Sequence, residues 1–152
     1  MILRLVLPIA IVAFVIDQLS KWWITGPLQL GWDNREYAVF PPLLQFRYAE
    51  NTGINFGLFG GGPEETRWIL IGVSLVISAA LIFWVWRRGS AAMAVGAGLV
   101  VGGALANAWD RFHHGAVIDF LNNACCGFDN PFSYNIADVW IFAGAIWIAI
   151  KA

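Results

Sequence analysis

Two aspartates nineteen positions apart are the residues in this chain best suited to chemistry. Asp119 closes the run Gly115-Ala-Val-Ile-Asp, and Asp138 interrupts an otherwise uncharged stretch from Asn130 to Ile150. An ionised carboxylate near the centre of a membrane helix costs about 2.5–3.5 kcal/mol on insertion scales, so its presence calls for a reason. Neither acid has a basic residue at helical spacing, and both have apolar neighbours (Val117, Ile118 and Phe120; Ile136, Ala137 and Val139). Two carboxylates brought together in a poorly solvated place cannot both ionise easily, so one keeps its proton. That state suits peptide hydrolysis, in which the carboxylate takes a proton from attacking water while its protonated partner donates to the carbonyl oxygen. On these residues alone a catalytic pair, a proton relay and a structural pairing all stay open.

Other polar residues recur at helical spacing. Asn107, Asp110 and Arg111 stand at i, i+3 and i+4 and share one face, as do Asn135 with Asp138 and Asp17 with Lys21. Polar groups at membrane depth need partners, so these faces should turn towards one another. For Asp17, Lys21, Asp110 and Arg111 the plainer reading is internal ion pairing between helices, because both signs are present in the set.

The elements that must position these groups follow from composition. Of 152 residues, 59% are hydrophobic and 12% charged, with a mean hydropathy of +0.67. Soluble domains are about 25% charged, so the bilayer is the expected solvent. A net charge of −1 argues against nucleic-acid binding through a basic surface. Uncharged runs mark spans at about 68–86 and 89–109, each roughly 28–32 Å as a helix against a hydrocarbon core of about 30 Å. Two more are expected at about 3–23 and 131–150, giving a mainly α membrane protein with four transmembrane helices in one domain over residues 1–152. Arg4, Arg87, Arg88 and Lys151 fall on one side with no acid among them. The positive-inside rule then places both termini in the cytoplasm and the polar segments on the outer face. The first segment lacks an A-x-A-like site and reads as a retained helix, not a cleaved leader.

Two segments remain outside. Residues 24–66 form a β-rich outer platform, because Leu44-Gln-Phe-Arg-Tyr48 alternates apolar and polar residues as a half-buried strand does. The glycines from Gly57 to Gly62 read equally as a substrate lid or a flexible loop. Residues 110–130 form a short interfacial segment between the third and fourth helices. Adjacent Cys125 and Cys126 lack metal spacing and read as two free thiols in a loop. His113-His114 reads as a solvated pair with no metal role, and the tryptophans at helix ends read as an aromatic belt.

Four stretches together resemble the signature blocks of signal peptidase II, the bacterial lipoprotein signal peptidase family. They are Asp17-Gln-Leu-Ser-Lys21, Asn51-Thr-Gly-Ile-Asn-Phe56, Gly102-Gly-Ala-Leu-Ala-Asn-Ala-Trp-Asp-Arg111 with Gly115-Ala-Val-Ile-Asp-Phe120, and Tyr134-Asn-Ile-Ala-Asp138. They occur in the family's order and span most of the chain. The resemblance implies an intramembrane aspartyl endopeptidase of the bacterial inner membrane with its active site at the periplasmic face. Such enzymes cut the signal peptide from a diacylglyceryl-modified prolipoprotein just before the lipidated cysteine. By motif Asp119 and Asp138 match the catalytic positions, and Asn51, Gly53, Asn107, Arg111 and Asn135 match positions that line the site or meet substrate. Asp17, Lys21 and Asp110 match supporting positions. No cofactor or metal is implied, and the expected partners are the prolipoprotein and membrane lipids around a monomer. Departures are Ala106 for a usual glycine, Ile54-Asn55 and Gly57 for small residues, and Tyr134 for phenylalanine; they bear on packing and pocket shape. The rival class, a small proton-coupled transporter relaying through Asp138, would more often show repeated halves, and no repeat is evident.

Overall fold

The computed structural model describes residues 2–32, 36–53 and 62–152. Four helices carry the chain: α1 (Leu3–Thr25), α2 (Pro63–Arg88), α3 (Ala91–His114) and α4 (Ile136–Lys151). Their ends are written locally. Pro63 opens α2, Glu64 and Glu65 occupy its first turn, and Arg87 and Arg88 its last, each sign matching the helix dipole. Ser90 caps α3 by accepting from the Met93 amide at 3.2 Å, and Gly115 ends that helix in the left-handed region at φ 80°. α1, α2 and α3 are long and apolar enough to cross a membrane. α4 has 16 residues, about 24 Å of helix.

Helix α3 is the axis of the bundle, packed against α1, α2 and α4. Its small residues make this possible: Ala94, Ala97 and Ala106 are fully buried, and close backbone approach is how helices associate in lipid. Ala106 therefore fits where the resemblance led us to expect glycine. At Gly103 a Cβ would lie 2.5 Å from the Ala137 carbonyl oxygen in the first turn of α4. Gly103→Val should force that turn away, and because Asp138 is the next residue, activity should fall about 100-fold with about 1–3 kcal/mol of stability. An initial-rate assay beside a denaturation curve checks both. The outside of the bundle is apolar, with Ile11, Val76, Phe142 and Ile150 all exposed, as a lipid-facing surface requires.

At the end of the bundle formed by the C-termini of α1 and α3 and the N-termini of α2 and α4 sits an antiparallel three-stranded sheet. Its order is β1 (Glu36–Phe40), β2 (Leu44–Asn51), β3 (Val117–Asn122). The alternating strand expected at 44–48 is thus present within β2. β3 was not anticipated; the segment 110–130 was expected only as an interfacial connection. Every residue of β3 is buried, so it lacks the apolar–polar alternation that marks a half-exposed strand. Ile24, Leu30, Phe120 and Leu121 form the core beneath the sheet, with Trp23, Phe46 and Phe120 in successive edge-to-face contacts.

Two expectations need correction. The fourth helix starts at Ile136, not Pro131, because the Tyr134 backbone is taken up by bridging to Leu121 and Asn135 caps the helix. Asp138 consequently stands in the first turn and not within a continuous span. Cys125 and Cys126 are joined in a disulfide and are not free thiols. They sit in a tight turn where Cys126 and Gly127 both have positive φ (61° and 82°) and the Phe128 amide donates to the Cys125 carbonyl.

Candidate active site

β3 delivers Asp119 and the first turn of α4 delivers Asp138. Asn135 connects them. Its side-chain oxygen accepts from the Asp138 amide at 2.9 Å, and the Asp138 carboxylate accepts from the Asn135 amide at 3.2 Å, a reciprocal helix cap. With the oxygen committed, the Asn135 Nδ2 group must donate, and it reaches Asp119 Oδ1 at 2.6 Å. It also points at the Ile118 carbonyl (3.3 Å) and at Asn107 Oδ1 (3.1 Å). The two carboxylates named from sequence are therefore bound to a single residue.

Asn51 approaches from the end of β2. Its Oδ1 accepts from the Gly53 amide at 3.0 Å, which turns its amide nitrogen towards Asp119. Gly53 holds a φ of 104°, and a Cβ there would meet Leu70 of α2 at 2.5 Å. The Asn-x-Gly spacing thus reflects a side-chain-to-backbone turn wedged against a helix, where a side chain would be both strained and crowded. Asp119 itself is 3% exposed. Burial, then the charge of Asp138, pushes its carboxyl up to about 6, while the amides of Asn51 and Asn135 and the Lys21 charge pull the other way.

A cleft of about 630 Å³ opens over Asp119, walled by Asn51 and Gly53, Leu70 of α2, Arg111 of α3 and Ser133 before α4. Among the described residues Arg111 takes no part in the ion pairing expected between it and Asp17, Lys21 and Asp110. Its Nε is buried with no hydrogen-bond partner among the described residues, and its guanidinium stays beside the cleft. Asp110 pairs elsewhere. Lys21 Nζ lies 2.7 Å from both Asp17 and Asp110, forming an ion cluster in which no member is more than 3% exposed. The second Asp17 oxygen accepts from the Ala137 amide at 2.8 Å, and Asp110 accepts from the Ile118 amide at 3.2 Å. The cluster ties α1 and α3 to the residues adjoining both acids.

Three contributors escaped the sequence reading. Gln18 donates to Asp110 at 2.8 Å. Arg67 of α2 reaches the Arg111 and Phe112 carbonyls, each at 2.6 Å, holding α2 to the C-terminus of α3. Fully buried Asn122 donates to the Asn130 and Phe132 carbonyls, shaping the turn that returns to α4. Arg67 was legible only as a charge bounding a span, and neither Gln18 nor Asn122 has a periodic signal. Tyr134 uses its hydroxyl to donate to Asn123, an interaction phenylalanine lacks. His113 packs against Trp109 with ring centroids 4.1 Å apart and planes tilted by 53°, and no metal-holding cluster exists among the described residues. Ile54-Asn55, Gly57 and the loop to Gly61 lie outside the described residues.

Comparison with known proteins adds to this geometry. The family described as Signal peptidase (SPase) II matches residues 9–152. The chain belongs to the signal peptidase II family. The lipoprotein signal peptidase of Sphingopyxis alaskensis is 33% identical over 99% of this chain and 86% of its own length. That of Trichormus variabilis is 37% identical over 94% and 85%. Among solved structures, a bacterial membrane enzyme determined by the in meso method at 1.9 Å resolution superposes with a TM-score of 0.78. It is 28% identical, covering 93% of this chain and 88% of that one. Signal peptidase II members are proteases, so this chain is a hydrolase of lipoprotein processing and its apolar helices suit a membrane enzyme.

Proposed function

We propose that this peptidase hydrolyses the signal peptide of a diacylglyceryl-modified prolipoprotein immediately before the lipidated cysteine, with Asp119 and Asp138 as the catalytic pair. The observation that carries the reading is Asn135 bound to both carboxylates, donating from its side chain to Asp119 and from its backbone amide to Asp138, under a cleft lined on one wall by α2. All four helices cross the inner membrane. Arg4, Arg87, Arg88 and Lys151 lie at the cytoplasmic ends, and the cleft faces the periplasm. One copy holds the whole pair, so a monomer suffices. The substrate's acyl chains stay among the lipids while the scissile peptide reaches the cleft.

Water attacks the carbonyl carbon as the ionised carboxylate takes its proton, and the protonated carboxyl donates to the carbonyl oxygen. In the second step the newly protonated acid gives its proton to the leaving amine and the C–N bond breaks. The other acid recovers its proton from the gem-diol. The test is to incubate purified enzyme in lipid with a diacylglyceryl-modified precursor and weigh the products. A new N-terminus at the lipidated cysteine is expected; cleavage at any other bond, or none, overturns the proposal.

A pH dependence follows. Asp119 holds its proton up to about 6, so activity should decline as pH rises through that value. Stability moves the same way: between the ordinary carboxylate range and about 6 the folded protein binds more proton than the unfolded chain, so raising pH through that window lowers stability. Rate and unfolding midpoint measured across pH 4–8 check both.

A further inference from the structure

Asn107 receives Lys21 Nζ on its Oδ1 at 3.3 Å. An ammonium can only donate, so the amide cannot flip, and Nδ2 is left to donate to Asp138 Oδ1 at 3.0 Å. Asp138 thus accepts on both oxygens, from the Asn107 side chain and from the Asn135 backbone, and it sits in the first turn of α4, where the helix dipole favours negative charge. Asp119 is placed differently. It lies on a strand, has no helix N-terminus behind it, and takes its shortest bond from Asn135 Nδ2.

We infer that Lys21 and Asn107 form a positioning chain that makes the two acids inequivalent, holding Asp138 as the ionised member and leaving the proton on Asp119. This rests on the catalytic-pair reading above and assigns its roles. Asp138 is the base that takes the proton of water, and Asp119 is the acid that donates to the carbonyl oxygen. Charged and titratable groups surround both acids, and two cations, Arg111 and Lys21, act on Asp119 as well, so the division rests on the hydrogen bonds to Asp138 and on its place at a helix N-terminus. α1 supplies Asp17 and Lys21, α3 supplies Asp110 and Arg111, and β2 brings Glu50 to the edge of the cleft. The cation of the ion cluster is the one whose donor chain ends on Asp138. Asp119 meets the chain only through Asn135.

The test compares pH–rate profiles on a diacylglyceryl-modified precursor. Asn107→Leu removes the donor to Asp138 while Lys21 keeps both carboxylate partners. It should lower kcat about 10- to 100-fold with little change in KM, and leave the alkaline limb, which reports loss of the Asp119 proton, where it is. Asn51→Leu removes a donor to Asp119 and should move that limb to higher pH. If Asn107→Leu shifts the alkaline limb, or leaves kcat intact, or Asn51→Leu leaves the limb in place, the assignment is overturned. Should Asn107→Leu not fold, Lys21→Met with Asp110→Asn preserves the cluster's net charge, removes the head of the chain and is read by the same criteria. Failure of the catalytic pair itself looks different: Asp119→Asn or Asp138→Asn would cleave like the wild type.

Discussion

Asp119→Asn and Asp138→Asn should each abolish measurable cleavage, a loss of about 10²–10⁴-fold from proton transfer alone. Asparagine keeps the shape and can still accept from Asn135, so the local hydrogen bonds survive in outline. What disappears is the ability to take up or release a proton at the reacting atoms. For Asp138 the reciprocal cap with Asn135 persists through the amide oxygen, and α4 should stay seated. For Asp119, losing a buried carboxylate relieves a desolvation cost, so the variant should be at least as stable as wild type above pH 6. The measurement is single-turnover cleavage of a lipidated precursor beside a thermal melt. An inactive but well-folded pair of variants is expected; near wild-type cleavage in either one sinks the dyad.

Lys21→Met should unsettle the fold more than any other single change. Asp17 and Asp110 are 0% and 1% exposed, and each lies 2.7 Å from the one ammonium. Removing one partner of a buried ion pair costs about 3–5 kcal/mol, because the charge left behind has neither water nor counter-ion. Here two carboxylates are left facing each other. The loss should spread to the site, since Asp17 holds the Ala137 amide and Asp110 the Ile118 amide. Reversible denaturation in mild detergent reads the effect. Adding Asp110→Asn should recover part of the lost stability by removing one of the stranded charges; no recovery would mean that packing, not charge, dominates the cluster.

Much of the architecture was legible before any coordinates. Three of the expected spans lie, to within two residues at the start of α3, inside helices long and apolar enough to cross a membrane, because uncharged runs bounded by arginine or aspartate have few alternatives in lipid. The ion pair of Asp17 with Lys21 could be read from its i, i+4 spacing. The strand in β2 was visible because one face is half-buried and the pattern alternates. β3 was not visible, since burial on both faces erases the alternation. The start of α4 was misplaced because residues 131–135 are uncharged and compatible with a helix; their extended path depends on the Tyr134 bridge to Leu121, a contact between segments. The disulfide at Cys125–Cys126 was likewise missed, because it depends on a turn with two successive positive φ values.

Local sequence determined which polar groups this chain carries, where its spans run and which family it joins, because hydropathy, helical spacing and ordered motifs are properties of neighbouring residues. Tertiary structure decided who touches whom. Ala137 meets Asp17 across 120 positions and Asp138 meets Asn107 across 31, so no local pattern could encode those pairs. The direction of each amide was settled the same way: a lysine from α1 and a helix cap on α4 leave Asn107 and Asn135 only their nitrogens to offer the acids. Hydrogen-bond direction is a property of the assembled network, and it emerges only when α1, α3, β3 and α4 meet.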